Sequence, residues 1–152
     1  KGSKKNYFMG TDFTYEDMEP EDIDNFEYTI IRSEQLNQDN KASDCYVIQA
    51  VPANEEKKQE SGYSKRFLWI EKENLVTLKV DFYDRRDRLQ KTQTTHELEN
   101  VGGTVWRPKK TLMIHHEKTH KTITAVTSRK INSEIEDQVF TDSFILSGKH
   151  TE

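Results

Sequence analysis

The chain has 152 residues, with 23 lysines and arginines, 27 aspartates and glutamates and a net charge of −4. This length is typical of one domain, and we expect residues 1–152 to form a single domain. The charges are spread along the chain without the basic excess of a nucleic-acid-binding protein, so we expect no nucleic-acid partner. Hydrophobic residues make up 32% and aromatic residues 10%, which indicates a folded domain with a small core.

Two further classes are excluded by simple counts. No stretch approaches the roughly 18 consecutive apolar residues of a membrane-spanning helix. Cys45 is the only cysteine, so an internal disulfide and a cysteine-based zinc site cannot form. Both the cytosol and an exported location are compatible with this cysteine content.

Residues 11–27 are acidic and carry signals for the start of a helix. Thr14 followed three positions later by Asp17 matches a capping box, and Pro20 can open a second turn, so short helical pieces are predicted. The acidic run from Asp12 to Glu27 lacks the spacing of a calcium-binding loop. We interpret it as a solvent-facing surface near helix N-termini.

From residue 27 onward the side chains alternate with a period of two, which is typical of strands. The clearest strand is 76–83, where Val76, Leu78, Val80 and Phe82 share one face. The other predicted strands are 27–32, 45–51, 66–71, 89–99, 105–116 and 121–131. A mobile hairpin loop is predicted at 54–61, and a short helix at 133–139 before an extended tail.

The connections between these strands are short, as at 71–75, 84–88, 100–104 and 117–120. Short connections join antiparallel neighbours, because a parallel crossover needs a dozen or more residues. We therefore predict a mainly β domain of the α+β type. Its strongly curved antiparallel sheet has six to eight strands, with short helices at the margins.

His116, Glu117 and His120 match the H-E-x-x-H pattern of zinc peptidases. That chemistry needs a helix, because only helical i, i+4 spacing places both imidazoles on one face. Here alternating segments flank the motif, which predicts a hairpin turn, and no pattern places a third ligand. We interpret the match as coincidence and expect no metal site; a zinc-dependent hydrolase is the alternative function.

Other catalytic signals are missing from the sequence. Cys45 alternates with Val47 on a predicted strand and is interpreted as a small core residue. No serine lies in a nucleophile elbow, and no glycine-rich phosphate loop occurs. The basic residues Arg85, Arg86, Arg88 and Lys91 are interpreted as a solvated hairpin tip. We expect no catalytic residue, no cofactor and no enzymatic activity.

Several segments stand in a specific order: GTDFTYEDM at 10–18, YSKR at 63–66, LWIEK at 68–72 and LKVDFYD at 78–84. KT at 91–92, HKT at 120–122 and DQVFT at 137–141 follow. This series resembles the bacterial outer membrane lipoprotein-sorting protein family, a branch of the LolA-like group. Members of that family have further strands and helices ahead of the first segment, so we expect this chain to be the C-terminal part of a longer domain.

The resemblance implies a periplasmic, non-enzymatic protein with an incomplete β-barrel wrapped around helices. It further implies a hydrophobic cavity for the acyl chains of lipids or lipoproteins, and thus a lipid or an acylated lipoprotein as partner. A membrane-associated export partner is compatible with it. A periplasmic interaction or sensor domain without lipid transport is a further alternative. Because few helical residues are available to cover the sheet, its apolar face is also a candidate for homo-oligomer formation.

The predicted ligand-binding residues are Phe67, Trp69, Val76, Leu78, Val80, Phe82, Trp106 and Met113. Beside the stripe on 76–83, either Phe67 and Trp69 or Leu68 and Ile70 continue the surface. A four-residue loop at 72–75 would place Trp69 opposite Leu78 and Phe67 opposite Val80, which favours the first pair, and a one-residue slip would reverse the choice.

The surface then continues through Leu112 and Ile114, or else through Met113, and Trp106 closes one end. The alternative is that all these residues are simply core, which is the commoner outcome for an alternating strand.

Overall fold

The computed structural model describes residues 4–118, 120–125 and 142–146. Its strands are β1 (Phe26–Gln38), β2 (Lys41–Pro52), β3 (Tyr63–Glu71), β4 (Thr77–Asp84), β5 (Leu89–Gly102), β6 (Val105–His115), β7 (His120–Ala125) and β8 (Asp142–Leu146). Helix α1 (Glu55–Glu60) connects β2 to β3, and a 3-10 turn covers Glu16–Met18. No helix in the described part of the chain is long and apolar enough to cross a membrane.

The predicted antiparallel sheet is confirmed: the eight strands pair in sequence order from β1 to β8. Among the described residues β1 and β8 are not paired with each other, so the sheet stays open as an incomplete barrel. Its curvature brings the β1–β2 turn to β5. There Gln38 donates a hydrogen bond to the Thr95 carbonyl at 3.0 Å, and the Asp39 carboxylate lies 2.8 Å from His96 Nδ1.

Three local predictions have different outcomes. The capping box is confirmed, since the Thr14 N–H donates to Asp17 Oδ2 and the Asp17 N–H donates to Thr14 Oγ1. The second helical turn at Pro20 is wrong, because residues 20–22 have neither helix nor turn and residues 23–25 form a turn that is not helical. The predicted loop at 54–61 is instead helix α1, capped by Asn54 Oδ1 on the Lys57 N–H.

Two predictions reach beyond the described residues. The helix at 133–139 lies outside them, and the strand at 121–131 is described only as far as Ala125. The predicted extended tail contains β8, which pairs with β7.

The predicted register between β3 and β4 is wrong by one residue. Leu68 pairs with Val80, Trp69 with Lys79 and Phe67 with Asp81. The shift arises because the connection covers 72–76 and a bulge lies between Trp69 and Ile70. A one-residue slip moves the neighbouring side chains to the other face of the sheet.

The buried apolar side chains form two clusters. The first contains Phe13, Ala50, Tyr63, Leu68, Val80, Phe82 and Met113. The second contains Cys45, Val47, Trp69 and Leu78, with Phe67 and Val76 half-buried against it. The four residues predicted to form one stripe are therefore divided: Val80 and Phe82 belong to the first cluster, whereas Leu78 belongs to the second and Val76 packs against it. We call the sheet face that carries Leu68, Val80 and Met113 the inner face.

Residues 4–18, which we call the N-terminal strap, pack on this inner face. Phe13 belongs to the first cluster, and the Asp12 carboxylate accepts a hydrogen bond from Thr122 of β7 at 2.9 Å. Lys91 of β5 is fully buried, and its Nζ lies 2.5 Å from Asp17 Oδ2 and 3.1 Å from the Asp12 carbonyl oxygen. The predictions of a solvated Lys91 and a solvent-facing acidic run are therefore wrong at these residues.

His115 of β6 is a second attachment point of the strap. It is buried, and its Nε2 lies 3.1 Å from the Tyr7 hydroxyl. The Lys118 N–H donates to Nδ1, so the neutral ring carries its proton on Nε2. Burial, and next the charge of Lys118, lower the pKa of His115 below its usual 6.5.

Replacing Lys91 with methionine should destabilise the fold by about 3–5 kcal/mol, because it leaves the buried Asp17 carboxylate without its counter-charge. Urea unfolding at neutral pH measures this loss. Lys41→Met, at an exposed position, is the matched control and should change stability by less than about 0.5 kcal/mol. A loss below about 1 kcal/mol for Lys91→Met would contradict a strap held by this ion pair.

Stability should also fall as the pH drops below the usual histidine pKa of 6.5. Below that pH the unfolded chain binds a proton at His115 more readily than the folded chain, so protonation favours unfolding. Above that pH this loss of stability is absent. Urea midpoints at about pH 7.5 and about pH 5.5 compare the parent with His115→Gln. We expect a smaller drop in the variant; equal drops would show that His115 does not titrate in this way.

Candidate ligand-binding cavity on the inner face

A cavity of about 190 Å³ lies between the inner face of β3–β5 and residues 16–25, with α1 at its side. Its apolar floor consists of Phe26, Leu68, Val80 and Phe82. Its charged rim consists of Lys4, Glu16, Asp17, Glu19, Glu21, Asp22, Lys57, Glu60 and Arg66. The sheet alternation places the floor residues, whereas the strap and α1 supply much of the rim.

A second concavity, of about 530 Å³ and open to solvent, is lined by residues of β4, β5, β6 and the loops before β4 and β6. We call it the groove. Leu75, Val105 and Trp106 line it and are exposed. Thr77 and Gln93 line both the cavity and the groove, so the two concavities adjoin. We call these two adjoining concavities the depression; its apolar residues lie on either side of Thr77 and Gln93.

The predicted ligand residues fall into four groups. Val80 and Phe82 line the cavity, and Val76 and Trp106 line the groove. Met113 pairs with Gln93 and is fully buried in the first core cluster. Phe67, Trp69 and Leu78 line neither concavity.

Trp69 is occupied by contacts with other strands. Its Nε1 donates to Glu34 Oε2 at 2.7 Å, and Lys79 Nζ lies 4.4 Å from the ring centroid. Of the two alternatives on β6, Met113 lies on the inner face, where it opposes Gln93. Its neighbours Leu112 and Ile114 oppose Thr94 and Thr92, so they point to the other face.

Sequence reasoning did not place Phe26, Leu75, Val105 and Arg66 at the site. Leu68 is one of the two residues that a one-residue slip would bring to the predicted binding surface instead of Phe67 and Trp69. Phe26 immediately precedes the predicted first strand. For Leu75 and Val105 the only available signal was an apolar residue beside a turn, which by itself is ordinary.

Arg66 of β3 joins the cavity rim to the acidic segment opposite. Its Nη1 and Nη2 donate to Glu21 at 3.2 and 2.7 Å, and its guanidinium lies 4.4 Å from the Phe26 ring centroid. Burial opposes ionisation of Glu21, but the hydrogen bonds and charge of Arg66 outweigh it and keep the pKa of Glu21 below its usual value. Tyr28 also donates to Glu21.

Beside the cavity, Lys91 lies among three aromatic rings, with its Nζ 5.2–5.5 Å from the centroids of Tyr7, Tyr63 and Phe82. Burial lowers the pKa of Lys91, and the Asp17 carboxylate opposes that shift. Burial and Asp17 together raise the pKa of Tyr63, whose hydroxyl donates to Asp17 Oδ1. Perturbed pKa values often mark functional sites, but Lys91 lines neither concavity. We therefore assign Lys91 and its partners the role of supporting the cavity wall.

The H-E-x-x-H motif lies on a β-hairpin, as predicted. His115 of β6 pairs with His120 of β7, and residues 116–118 form a turn between them. His116 Nε2 lies 2.8 Å from Thr92 Oγ1, and Glu117 lies 3.7 Å from Arg88. The helix that a zinc peptidase needs is replaced by two strands. Across the described residues, no group of three or more His, Cys, Asp or Glu side chains is arranged to hold a metal ion.

Solved structures of other proteins have a similar fold. A domain described as an outer membrane lipoprotein-sorting protein domain, from Vibrio parahaemolyticus, superposes with a TM-score of 0.77 at 27% identity, over 89% of this chain and 54% of that chain. A DUF1329 family protein from Desulfovibrio piger gives 0.69 at 28% identity, over 81% and 48%. A LolA superfamily protein from Nitrosomonas europaea shares the fold, at 0.60 and 21% identity, over 74% and 47%.

This chain therefore spans about half the length of the solved structures that it matches. No curated protein matches its sequence. A family model described as an uncharacterized protein matches residues 1–146. The chain belongs to the family that this model describes, and it shares its fold with the LolA superfamily protein.

Proposed function

We propose that this chain is a periplasmic, non-enzymatic binding protein that holds the acyl chains of lipids or lipoproteins on its inner face. The observation that carries the proposal is the depression formed by the cavity and the groove, because it gives an extended apolar chain a floor and an open exit. The similar domain from Vibrio parahaemolyticus, described as lipoprotein-sorting, supports it.

The energetics of such binding need only apolar contact. Each methylene that leaves water contributes about 0.8 kcal/mol, so a chain lying on Leu68 and Val80 gains affinity without a polar anchor. Trp106 and Val76 can then contact the part of the chain that reaches the groove. We propose Leu68, Val76, Val80, Phe82 and Trp106 as ligand contacts, with Met113 as support beneath them.

Phe67, Trp69 and Leu78 leave the proposed contact set because they line neither concavity. We add Phe26 of the cavity and Leu75 of the groove to the proposed contacts. The proposed partners are a lipid or an acylated lipoprotein, together with a membrane-associated export partner that delivers or receives it.

A protein-interaction role is the second candidate, and the edge strand β1 favours it. Ile30 on this edge is 61% exposed and Ile31 is 41% exposed. Exposed apolar edge strands pair readily with strands of other chains. An interaction or sensor domain without lipid transport, or a homo-oligomer, would use this edge.

Lipid extraction and native mass spectrometry on protein purified from its own host test the proposal directly. We expect a co-purifying lipid. A fluorescent fatty-acid analogue should then bind Trp106→Glu about tenfold or more weakly than the parent, because the new charge lies in the groove and disfavours apolar contact. Leu89→Glu is the matched control: Leu89 is 41% exposed against 36% for Trp106 and lines neither concavity.

The carrier role fails if no lipid co-purifies and the analogue does not bind the folded parent. An interaction through β1 then becomes the better account. If Trp106→Glu and Leu89→Glu both bind the analogue as tightly as the parent does, the ligand does not lie in the groove.

A further inference from the structure

We propose that the cavity selects amphiphiles with a singly charged carboxylate head group, and that Arg66 binds this head group. The inference rests on the acyl-binding function proposed above and adds the polar end of the ligand. In this arrangement the acyl chain lies on the apolar floor beside Arg66 and points toward the groove.

Arg66 is an unusual residue for the wall of an apolar cavity. Its side chain is only 12% exposed, and it lines the same cavity as Leu68 and Val80. Its Nε is buried and has no hydrogen-bond partner in the described part of the structure. A buried donor without an acceptor costs free energy, so the guanidinium depends on a carboxylate at its two Nη atoms for its charge-assisted hydrogen bonds.

Glu21 occupies the place that we assign to the ligand head group. Its carboxylate binds the two Nη atoms of Arg66 in a bidentate pair, which is the geometry of any carboxylate on a guanidinium. The Glu21 side chain is 44% exposed and belongs to a stretch without helix or strand at 19–22. A ligand that displaces Glu21 also breaks its hydrogen bond from Tyr28, but one carboxylate then replaces another on the same guanidinium, and the released Glu21 side chain can be hydrated.

The other acidic groups of the rim explain why one negative charge is preferred over two. Asp17 is committed to Lys91, and Glu16 accepts hydrogen bonds from Ser61 and the Gly62 N–H. These carboxylates stay in place when Glu21 moves and repel a second negative charge. A phosphate monoester carries about 1.5 to 2 negative charges at neutral pH, so it should bind less tightly than a carboxylate of equal chain length.

Three probes with the same alkyl chain separate the head group from the tail. Dodecanoate, dodecanol and dodecyl phosphate are titrated calorimetrically below their micelle concentrations, with inorganic phosphate as the probe without a tail. We expect dodecanoate to bind most tightly, dodecyl phosphate and dodecanol more weakly, and inorganic phosphate not at all.

Two variants assign the head group to Arg66. Arg66→Met should weaken dodecanoate binding about tenfold or more, since it removes a charge-assisted pair, and leave dodecanol binding unchanged. Glu21→Gln should tighten dodecanoate binding about fivefold, because the resident competitor is lost. Asp24→Asn, an exposed neighbour that does not line the cavity, removes the same charge from the same segment and should have no such effect.

The outcomes separate this inference from the proposed function. If dodecanol and dodecanoate both fail to bind, the acyl-binding function itself is wrong. If both bind equally well, or if dodecyl phosphate equals dodecanoate, the acyl site stands and the carboxylate assignment is overturned. Should Arg66→Met not fold, Glu21→Gln decides: unchanged dodecanoate affinity in that variant overturns the role of Arg66.

Discussion

The buried ion pair between Lys91 and Asp17 determines how much of the inner face is covered. Lys91 is far from Asp17 in sequence, 74 residues away, yet its ammonium group meets both that carboxylate and the Asp12 carbonyl within the sheet's concavity. Burying a charge is costly unless it is paired and hydrogen-bonded. Lys91 meets this condition only while the N-terminal strap lies in one position, and the strap in turn carries Phe13 into the core.

The strap covers only part of the inner face, and the uncovered part contains the proposed site. Beside Asp17 and Tyr63 the sheet floor remains open as the cavity, and beyond Thr77 it continues as the groove. Two ion pairs thus border the depression with different physical properties. The Lys91–Asp17 pair has both side chains fully buried, whereas in the Arg66–Glu21 pair the carboxylate is 44% exposed. We therefore assign the first pair a structural role and propose that a ligand exchanges with the carboxylate of the second.

Much of this architecture could be predicted from local sequence patterns. Period-two alternation located the strands and short polar connections indicated the antiparallel order, because both properties depend on neighbouring residues only. The Thr14–Asp17 capping box and the hairpin at the H-E-x-x-H motif are local for the same reason. The α1 helix is local too, but its polar composition is typical of a loop, although Asn54 is a good N-cap.

What could not be predicted depends on distant contacts or on single-residue irregularities. The bulge at Trp69 and Ile70 shifted the register and exchanged Trp69 for Leu68 on the cavity floor. Lys91 follows a basic turn in the sequence, and only its distant partner Asp17 shows that it is buried. Arg66 likewise becomes part of a site only through Glu21, 45 residues earlier.

The central claim, that an acyl chain lies along the depression on the inner face, can be tested with the chain's two tryptophans. Trp106 lines the groove and Trp69 lines neither concavity. A fatty acid brominated at mid-chain quenches tryptophan fluorescence on contact. It should quench the Trp69→Phe variant, which retains Trp106, and leave the Trp106→Phe variant unquenched at the same occupancy. Quenching of Trp69, or saturating binding without quenching of Trp106, would contradict this account.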